Sequence, residues 1–270
     1  MRLALDQGPP ATGGSAGALD RLDRAAGKAA AAGANLMITP EMALTGYNIG
    51  AAAVRAVAEP LGGPMIAALA RIALRHGIAL LAGFPELGSD GRVYNAVHLL
   101  DAQGRGRATC RKTHLYGAVD RAQFAPGAAL AAPVELDGWR LGLAICYDIE
   151  FPELARAQAL AGVDAILVPT ANMLPFTSIP TRIVPARAEE NEVYVAYANY
   201  CGAEAEFTYY GLSCVCGPDG ADLARAGGGE EMIFADLTKQ HLAATRAHST
   251  HLTDRRPDLY GPVADPKITR

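Results

Sequence analysis

Cys146 has the residue type and the setting of a nucleophile. It follows an almost wholly apolar run, residues 139–145, in which Arg140 is the exception. Asp137-Gly138 precedes that run, and a strand buried on both faces fits it. Beyond the cysteine the pattern changes. Pro152 suits the first turn of a helix, and residues 153–161 have helix-forming composition. Cys146 is therefore predicted to sit on a sharp strand-to-helix turn. Free backbone N–H groups and the positive end of a helix would favour its thiolate there. Asp148 and Glu150 pull the other way, so a cation is expected close by. Without such a partner the residue reads as one more buried cysteine that only packs.

Two further residues stand at the same kind of place, the C-terminal end of a predicted strand. Glu41 follows LMIT and Pro40, and Lys112 follows RATCR. In open α/β sheets, crevices form at the carboxyl ends of strands. Singly, Glu41 reads as a cap after Pro40 and Lys112 as a surface lysine. Only the trio is specific, and strand ends alone do not show that the three meet.

The elements that must position them alternate along the chain. Strands are predicted over residues 2–6, 36–39, 78–84, 93–100, a segment ending near Lys112, 163–169, 193–199, 211–216 and 232–237. Helices are predicted over 18–32, ended by Gly33, over 61–76, ended by Gly77, and over 181–191. This order predicts a single α/β domain over residues 1–270, with a mixed sheet or two packed sheets covered by helices. From about residue 248 the chain turns polar and carries Pro257, Pro262 and Pro266, which reads as an extended arm.

Composition narrows the class. Half the residues are apolar and 19% are charged, as in a globular protein and unlike a disordered one. The net charge of -4 gives no reason to expect nucleic acid or an anionic membrane as partner. No apolar run approaches the roughly 20 residues that span a bilayer. MRLALDQGPP lacks a basic start followed by a long apolar core, so no signal peptide is expected. Five cysteines form no regular framework. Cys214 and Cys216, two apart on a predicted strand, are expected to face opposite ways and stay unpaired. A reduced, cytoplasmic protein is expected.

PEMALTGY around Glu41, RKTHLYG around Lys112 and CYDIEFPE around Cys146 resemble the three signature motifs of the nitrilase, or carbon–nitrogen hydrolase, superfamily. The resemblance runs from about Met1 to the Tyr260 region. It implies a four-layer α-β-β-α sandwich, a catalytic triad of Glu41, Lys112 and Cys146, and no metal or other cofactor. It also implies homodimers or larger assemblies, with C-terminal arms reaching across the dimer and the helix after Cys146 as a subunit contact. In the implied reaction Cys146 attacks an amide carbonyl. Lys112 and the backbone N–H of Tyr147 stabilise the oxyanion, and Glu41 moves the protons. The family places a further acid, often glutamate, in the loop after the lysine motif. Asp120 stands there, one methylene shorter. It either positions Lys112 or the substrate amide, or is a solvated loop aspartate.

Tyr147-Asp148 resembles the amidase branches, whereas typical nitrilases carry Trp-Glu. PEMALTGYNIG, VPTANMLP, ARAEEN and YANYCGAE resemble a narrower group, bacterial amidases of lysine breakdown that convert 5-aminopentanamide to 5-aminopentanoate and ammonia. Stereoselective amidases acting on amino-acid amides carry similar motifs and are the alternative. Tyr47, Tyr116, Glu150 and Asn172 are then the expected substrate-binding residues. An ω-ammonium would lie roughly 6 Å from the carbonyl carbon, with Glu150 as its partner and Asn172 as a neutral acceptor. Otherwise Glu150 only decorates a helix N-terminus. The expected partners are a small amide and water, not nucleic acid or membrane. A metallohydrolase would need clustered ligands, yet the six histidines show no HExxH, and His248 and His251 lie in the polar tail. A non-catalytic binding protein on the same fold would be expected to lose a triad member, and none is lost.

Overall fold

Short apolar runs such as LMI and AILVP, with no polar alternation, form strands buried on both faces, and two sheets of such strands make the centre of this protein. The computed structural model describes residues 1–10 and 12–264. The first half runs β1 (Arg2–Gln7), α1 (Gly14–Ala31), β2 (Leu36–Ile38), α2 (Ala51–Val57), α3 (Pro64–His76), β3 (Ala79–Leu87), β4 (Val93–Leu100), β5 (Gly106–Arg111) and α4 (Gly117–Gln123). There follow β6 (Val134–Leu136), β7 (Trp139–Leu143), α5 (Pro152–Leu160), β8 (Ala165–Pro169), α6 (Val184–Asn191) and β9 (Tyr194–Ala198). The chain closes with β10 (Cys201–Glu204), β11 (Phe207–Tyr210), β12 (Cys214–Cys216), β13 (Asp222–Arg225), β14 (Glu231–Asp236) and α7 (Lys239–His248).

One sheet has the order β14-β1-β2-β3-β4-β5 and the other β13-β12-β9-β8-β7-β6. Their inner faces share one core, in which Leu5, Ile38 and Leu81 meet Leu141, Leu143 and Leu167. On the outer face of the first sheet, Met37 and Leu80 pack on Leu22 and Ala26 of α1 and on Leu69 of α3. On the outer face of the second, Ile166 and Val195 pack on Leu154 of α5 and Val184 of α6. The layers are therefore α-β-β-α, as the resemblance implies.

The long elements match their sequence pattern, and the departures have local causes. Helix α3 waits for Pro64 at its first turn instead of starting at Leu61, because Gly62-Gly63 resists helix. Strand β3 runs on to Leu87, since its pairing with β4 continues to Leu87 opposite Val93. The predicted helix over 181–191 begins as a π-helical turn (Ile179–Ile183) before α6. Helices α2, α4 and α7 and strands β6, β10, β11 and β13 are too short or too polar to show a period. Cys214 and Cys216 face the same way, contrary to expectation. Positions two apart on a strand share a face, and both thiols lie in the core under α6 while Val215 points between the sheets. All five cysteines are free.

Beyond His248 the described part of the tail, to residue 264, is folded into turns. Pro257 opens a 3-10 turn (Pro257–Leu259), where the ring's fixed φ suits a first position, and a second turn (Gly261–Ala264) follows. Leu259, Tyr260 and Val263 are exposed there. Pro266 lies outside the described residues. Among those described, no helix is long and apolar enough to cross a membrane.

Strand direction brings the interesting ends together. β2 and β3 run parallel, and β4 and β5 each reverse, so β5 points the same way as β2. The segments after β2 and β5 therefore leave the sheet at one edge. In the other sheet β7 and β8 are parallel, and Glu41 N–H donates to Thr170 O just past β8 at 3.2 Å. The turn after Glu41 lies directly on β3. Met42 has φ +55°, and a Cβ at Gly83 would stand 2.2 Å from Met42 N. Gly83→Ala should therefore cost about 1–3 kcal/mol and lower Tm by roughly 2–10 °C. Gly62→Ala, where a Cβ meets nothing within 4 Å, should leave Tm unchanged. Thermal unfolding that shows no difference between the two variants contradicts this account.

Candidate active site

Glu41, Lys112 and Asp120 form one buried charge cluster. Lys112 Nζ lies 2.7 Å from Glu41 Oε1 and 2.7 Å from Asp120 Oδ2, and none of the three side chains is exposed. Lys112 leaves β5 with its own N–H bonded to Asn95 O at 2.8 Å. The Asn95 side chain then donates from Nδ2 to Glu41 Oε1 at 2.6 Å, and Ala171 N–H donates to Glu41 Oε2 at 3.0 Å. Asp120 stands in the first turn of α4, where Oδ2 also accepts the Tyr116 N–H at 2.8 Å. It is thus no solvated loop residue: α4 carries the shorter side chain to the lysine. Burial alone would lower the Lys112 pKa, but the charges of Glu41 and Asp120 outweigh it and hold Lys112 well above the usual lysine range. Burial raises the Glu41 carboxyl, with Lys112 opposing and Asp120 adding to the rise.

Cys146 lies between β7 and α5 but does not sit at the start of α5. It opens a separate 3-10 turn (Cys146–Glu150), with φ +48°, and α5 begins only at Pro152. A non-glycine residue in this left-handed region is strained, a feature that concentrates at functional turns. The expected thiolate is corrected as well. Burial and then the charge of Glu41 push the thiol well above its ordinary range, and Lys112 and the Ala171 N–H only partly oppose this. The expected cation is Lys112. Asp148 faces away into other bonds: its carboxylate accepts Thr113 Oγ1 at 2.8 Å, His114 N–H at 2.9 Å and Ile145 N–H at 3.1 Å. It staples the lysine loop to the cysteine turn. Arg187 of α6 braces the far side of that turn, donating to Ile149 O at 3.1 Å and Glu150 O at 2.8 Å.

Asn95 and Arg187 were not singled out from sequence, and Asp148 was read there only as a charge opposing the thiolate. The signal for Asn95 was a lone amide in the apolar run VYNAVHLL, since a buried polar group in a central strand needs a partner. For Arg187 it was an arginine on the apolar face of a short helix.

A cavity of about 190 Å³ opens at Cys146. Tyr47, Tyr116, Tyr147, Glu150, Asn172 and Phe176 line it, so the four expected substrate-binding residues all reach its wall. Tyr116 meets the rings of Tyr147 and Phe176 edge-on at 5.5 and 5.9 Å. The Tyr47 ring centre is 5.5 Å from Lys112 Nζ. Asn172 is already engaged: Nδ2 donates to Tyr197 OH and Oδ1 accepts the Met173 N–H, both at 2.9 Å. It shapes the wall more than it offers an acceptor. Glu150 is the acidic residue of that wall. Burial pushes its carboxyl up to about 7, with Lys112 and Arg187 opposing. Among the described residues no group of three or more His, Cys, Asp or Glu is arranged to hold a metal ion.

Comparison with known proteins agrees with this geometry. The carbon–nitrogen hydrolase family pattern matches residues 2–247. A Pseudomonas protegens protein named "Hydrolase in pqqF 5'region" is 50% identical over 260 residues, covering 96% of this chain and 90% of that one. An (R)-stereoselective amidase from a Pseudomonas species is 35% identical over 228 residues, covering 84% of this chain and 81% of that one. The crystal structure of an amidase from Nesterenkonia sp. aligns with a TM-score of 0.83 at 35% identity, over 96% of this chain and 95% of that one. A variant of that amidase carries the acetamide moiety of fluoroacetamide covalently on its active-site cysteine. With the family pattern spanning both sheets and the cysteine turn, this chain belongs to the carbon–nitrogen hydrolase family.

Proposed function

We propose that this chain is a metal-independent cysteine amidase that hydrolyses a small amide with a cationic tail, 5-aminopentanamide first among them, to its carboxylate and ammonia. The observation that carries the choice of substrate is Glu150, a half-buried carboxyl in the wall of a small aromatic cavity beside Cys146. Its side chain makes no hydrogen bond among the described residues, so it is available to an ammonium, and an unpaired buried cation would be costly there. Tyr47 and Tyr116 supply apolar wall for the methylene chain.

The chemistry follows from the charge cluster. The resting thiol is protonated, so Glu41 takes that proton as Sγ attacks the amide carbon. Lys112 has three N–H donors, and the two carboxylates occupy two. The third, with the Tyr147 N–H, serves the oxyanion of the tetrahedral intermediate. The C–N bond breaks as Glu41 returns the proton to the leaving ammonia, leaving a thioester on Cys146. Glu41 then deprotonates a water that attacks the thioester carbon. The C–S bond breaks, the carboxylic acid leaves, and the proton goes back to Sγ. Asp120 keeps Lys112 cationic and in place throughout.

A second reading is a stereoselective amidase acting on amino-acid amides, favoured by the likeness to the (R)-stereoselective amidase. It places the ammonium next to the carbonyl instead of at the chain end. An ammonia-release screen over ω-amino, α-amino (both enantiomers), ω-carboxy and plain aliphatic amides separates the two. Turnover confined to one enantiomer of an α-amino amide removes the first reading.

We also propose a homodimer or a multiple of one. Between α5 and the tail lies a groove of about 420 Å³, bordered by the exposed Leu160, Tyr260 and Val263, and Arg156 Nη1 is buried there with no hydrogen-bond partner among the described residues. Light scattering at micromolar concentration should give at least twice the 28.1 kDa chain mass. A monomer removes the proposal.

Cys146→Ala should release no ammonia from any amide while circular dichroism and Tm stay near wild type. Serine at Cys110, Cys201, Cys214 or Cys216 should leave turnover measurable. Wild-type turnover in the alanine variant would overturn the mechanism. Glu150→Gln should raise KM for 5-aminopentanamide roughly 10- to 100-fold, the range expected for one charge-assisted hydrogen bond, and leave pentanamide unaffected. The pH dependence has a definite sign. The Glu150 carboxylate forms as pH rises through about 7, so kcat/KM for the amino amide should increase across that pH. Pentanamide should lack this step, and so should the Gln variant with either amide. Equal effects of the substitution on both amides would leave Glu150 with no role in charge recognition.

A further inference from the structure

Tyr47 is held by its backbone from two sides. Its N–H lies 3.1 and 3.2 Å from the two oxygens of the Glu204 carboxylate. Glu204 Oε2 also accepts the Asn48 N–H at 2.7 Å and the Tyr209 hydroxyl at 2.8 Å. On the other side, Gln123 Nε2 donates to Tyr47 O at 3.2 Å, while Gln123 Oε1 accepts the Gly50 N–H at 3.0 Å. Both polar groups of the Tyr47 backbone are thus bonded to side chains from distant segments, β10 and α4. Neither belongs to a sheet ladder. The chain makes room for the carboxylate: Gly46 has φ +93°, and a Cβ there would stand 2.5 Å from Glu204 Oε1.

The strand that supplies Glu204 is not part of either large sheet. β10 and β11 pair with each other, and Tyr209 forms a single bridge to Met173 in the cavity wall. Glu204 reaches from this hairpin to the loop that follows Glu41. Tyr47, at the end of that reach, is 1% exposed, walls the cavity, and lies over Lys112. We infer that Glu204 is a positioning residue of the active site, which fixes Tyr47 as the cavity wall and as the cover that keeps water from the Glu41–Lys112 pair. A carboxylate that merely stapled the hairpin would need only the Tyr209 hydroxyl. Here two of its three donors are the consecutive amides of Tyr47 and Asn48.

The inference rests on the amidase reading for one of its two readouts only. The first is kcat/KM with the best amide. The second is the rate at which iodoacetamide alkylates Cys146, followed by peptide mass, which needs no knowledge of the natural substrate. Glu204→Ala should slow both roughly 10- to 100-fold, the scale of an ångström-level displacement next to reacting groups. Glu204→Gln should recover part of the loss, because one amide oxygen still accepts the two N–H groups. Tyr47→Ala should also be slow, and the Glu204→Ala, Tyr47→Ala double variant should be no slower than Tyr47→Ala alone, since the two residues act as a unit. Fully additive losses, or wild-type rates for Glu204→Ala, overturn the inference. If Glu204→Ala does not fold, the same cycle with Glu204→Gln decides it. Wild-type protein that is alkylated at Cys146 but releases ammonia from no amide defeats the proposed function and leaves this test intact.

Discussion

A lysine ammonium sealed from water between two carboxylates is the constraint on which the rest of this structure depends. Lys112 has no exposed surface, and the oxygens of Glu41 and Asp120 each stand 2.7 Å from it. Desolvating such groups costs several kcal/mol per ion, and only close geometry with further hydrogen bonds offsets it. That requirement is visible in the surroundings. Asn95 and Ala171 N–H complete the shell of Glu41, and Tyr116 N–H that of Asp120. Each comes from a different segment, so the cluster exists only when β4, β5, α4 and the end of β8 are all in place.

The same cluster sets the electrostatics of the thiol. Burial first, and then the charge of Glu41, disfavours a thiolate, with Lys112 only partly opposing them, so the Cys146 thiol is pushed well above its ordinary range. This arrangement suits a base that takes the proton during attack. It differs from cysteine sites where a helix N-terminus stabilises a standing thiolate. The strained φ of Cys146 is maintained from outside the turn. Asp148 bonds Ile145 on one side, and Arg187 bonds Ile149 and Glu150 on the other.

The walls of the cavity are built on less regular parts of the chain than the charge cluster. Tyr47 lies in a loop, Tyr116 just before a short helix, and Met173 and Phe176 in the segment after β8. Loops of this kind change readily without disturbing a core made of sheet and helix.

Residue type and local pattern were enough to locate the strands 36–39, 93–100 and 163–169, the helices under the first sheet, and the three positions Glu41, Lys112 and Cys146 at strand ends. They were enough because a strand buried on both faces must be continuously apolar, and a polar residue at its end must leave the core. Pro152 and Gly77 marked helix limits for equally local reasons. Contacts between distant segments lay beyond that reach. No pattern along the chain says that Asp120 is buried against Lys112, that Asp148 faces the lysine loop and not the thiol, or that Asn172 spends its amide on Tyr197 and Met173. The thiolate expected at Cys146 failed for the same reason, because burial and then the charge of Glu41, more than a hundred residues away, push the thiol up. Burial and through-space charge belong to the folded chain, and they decide which polar side chains are partners, which are walls, and which hold a proton.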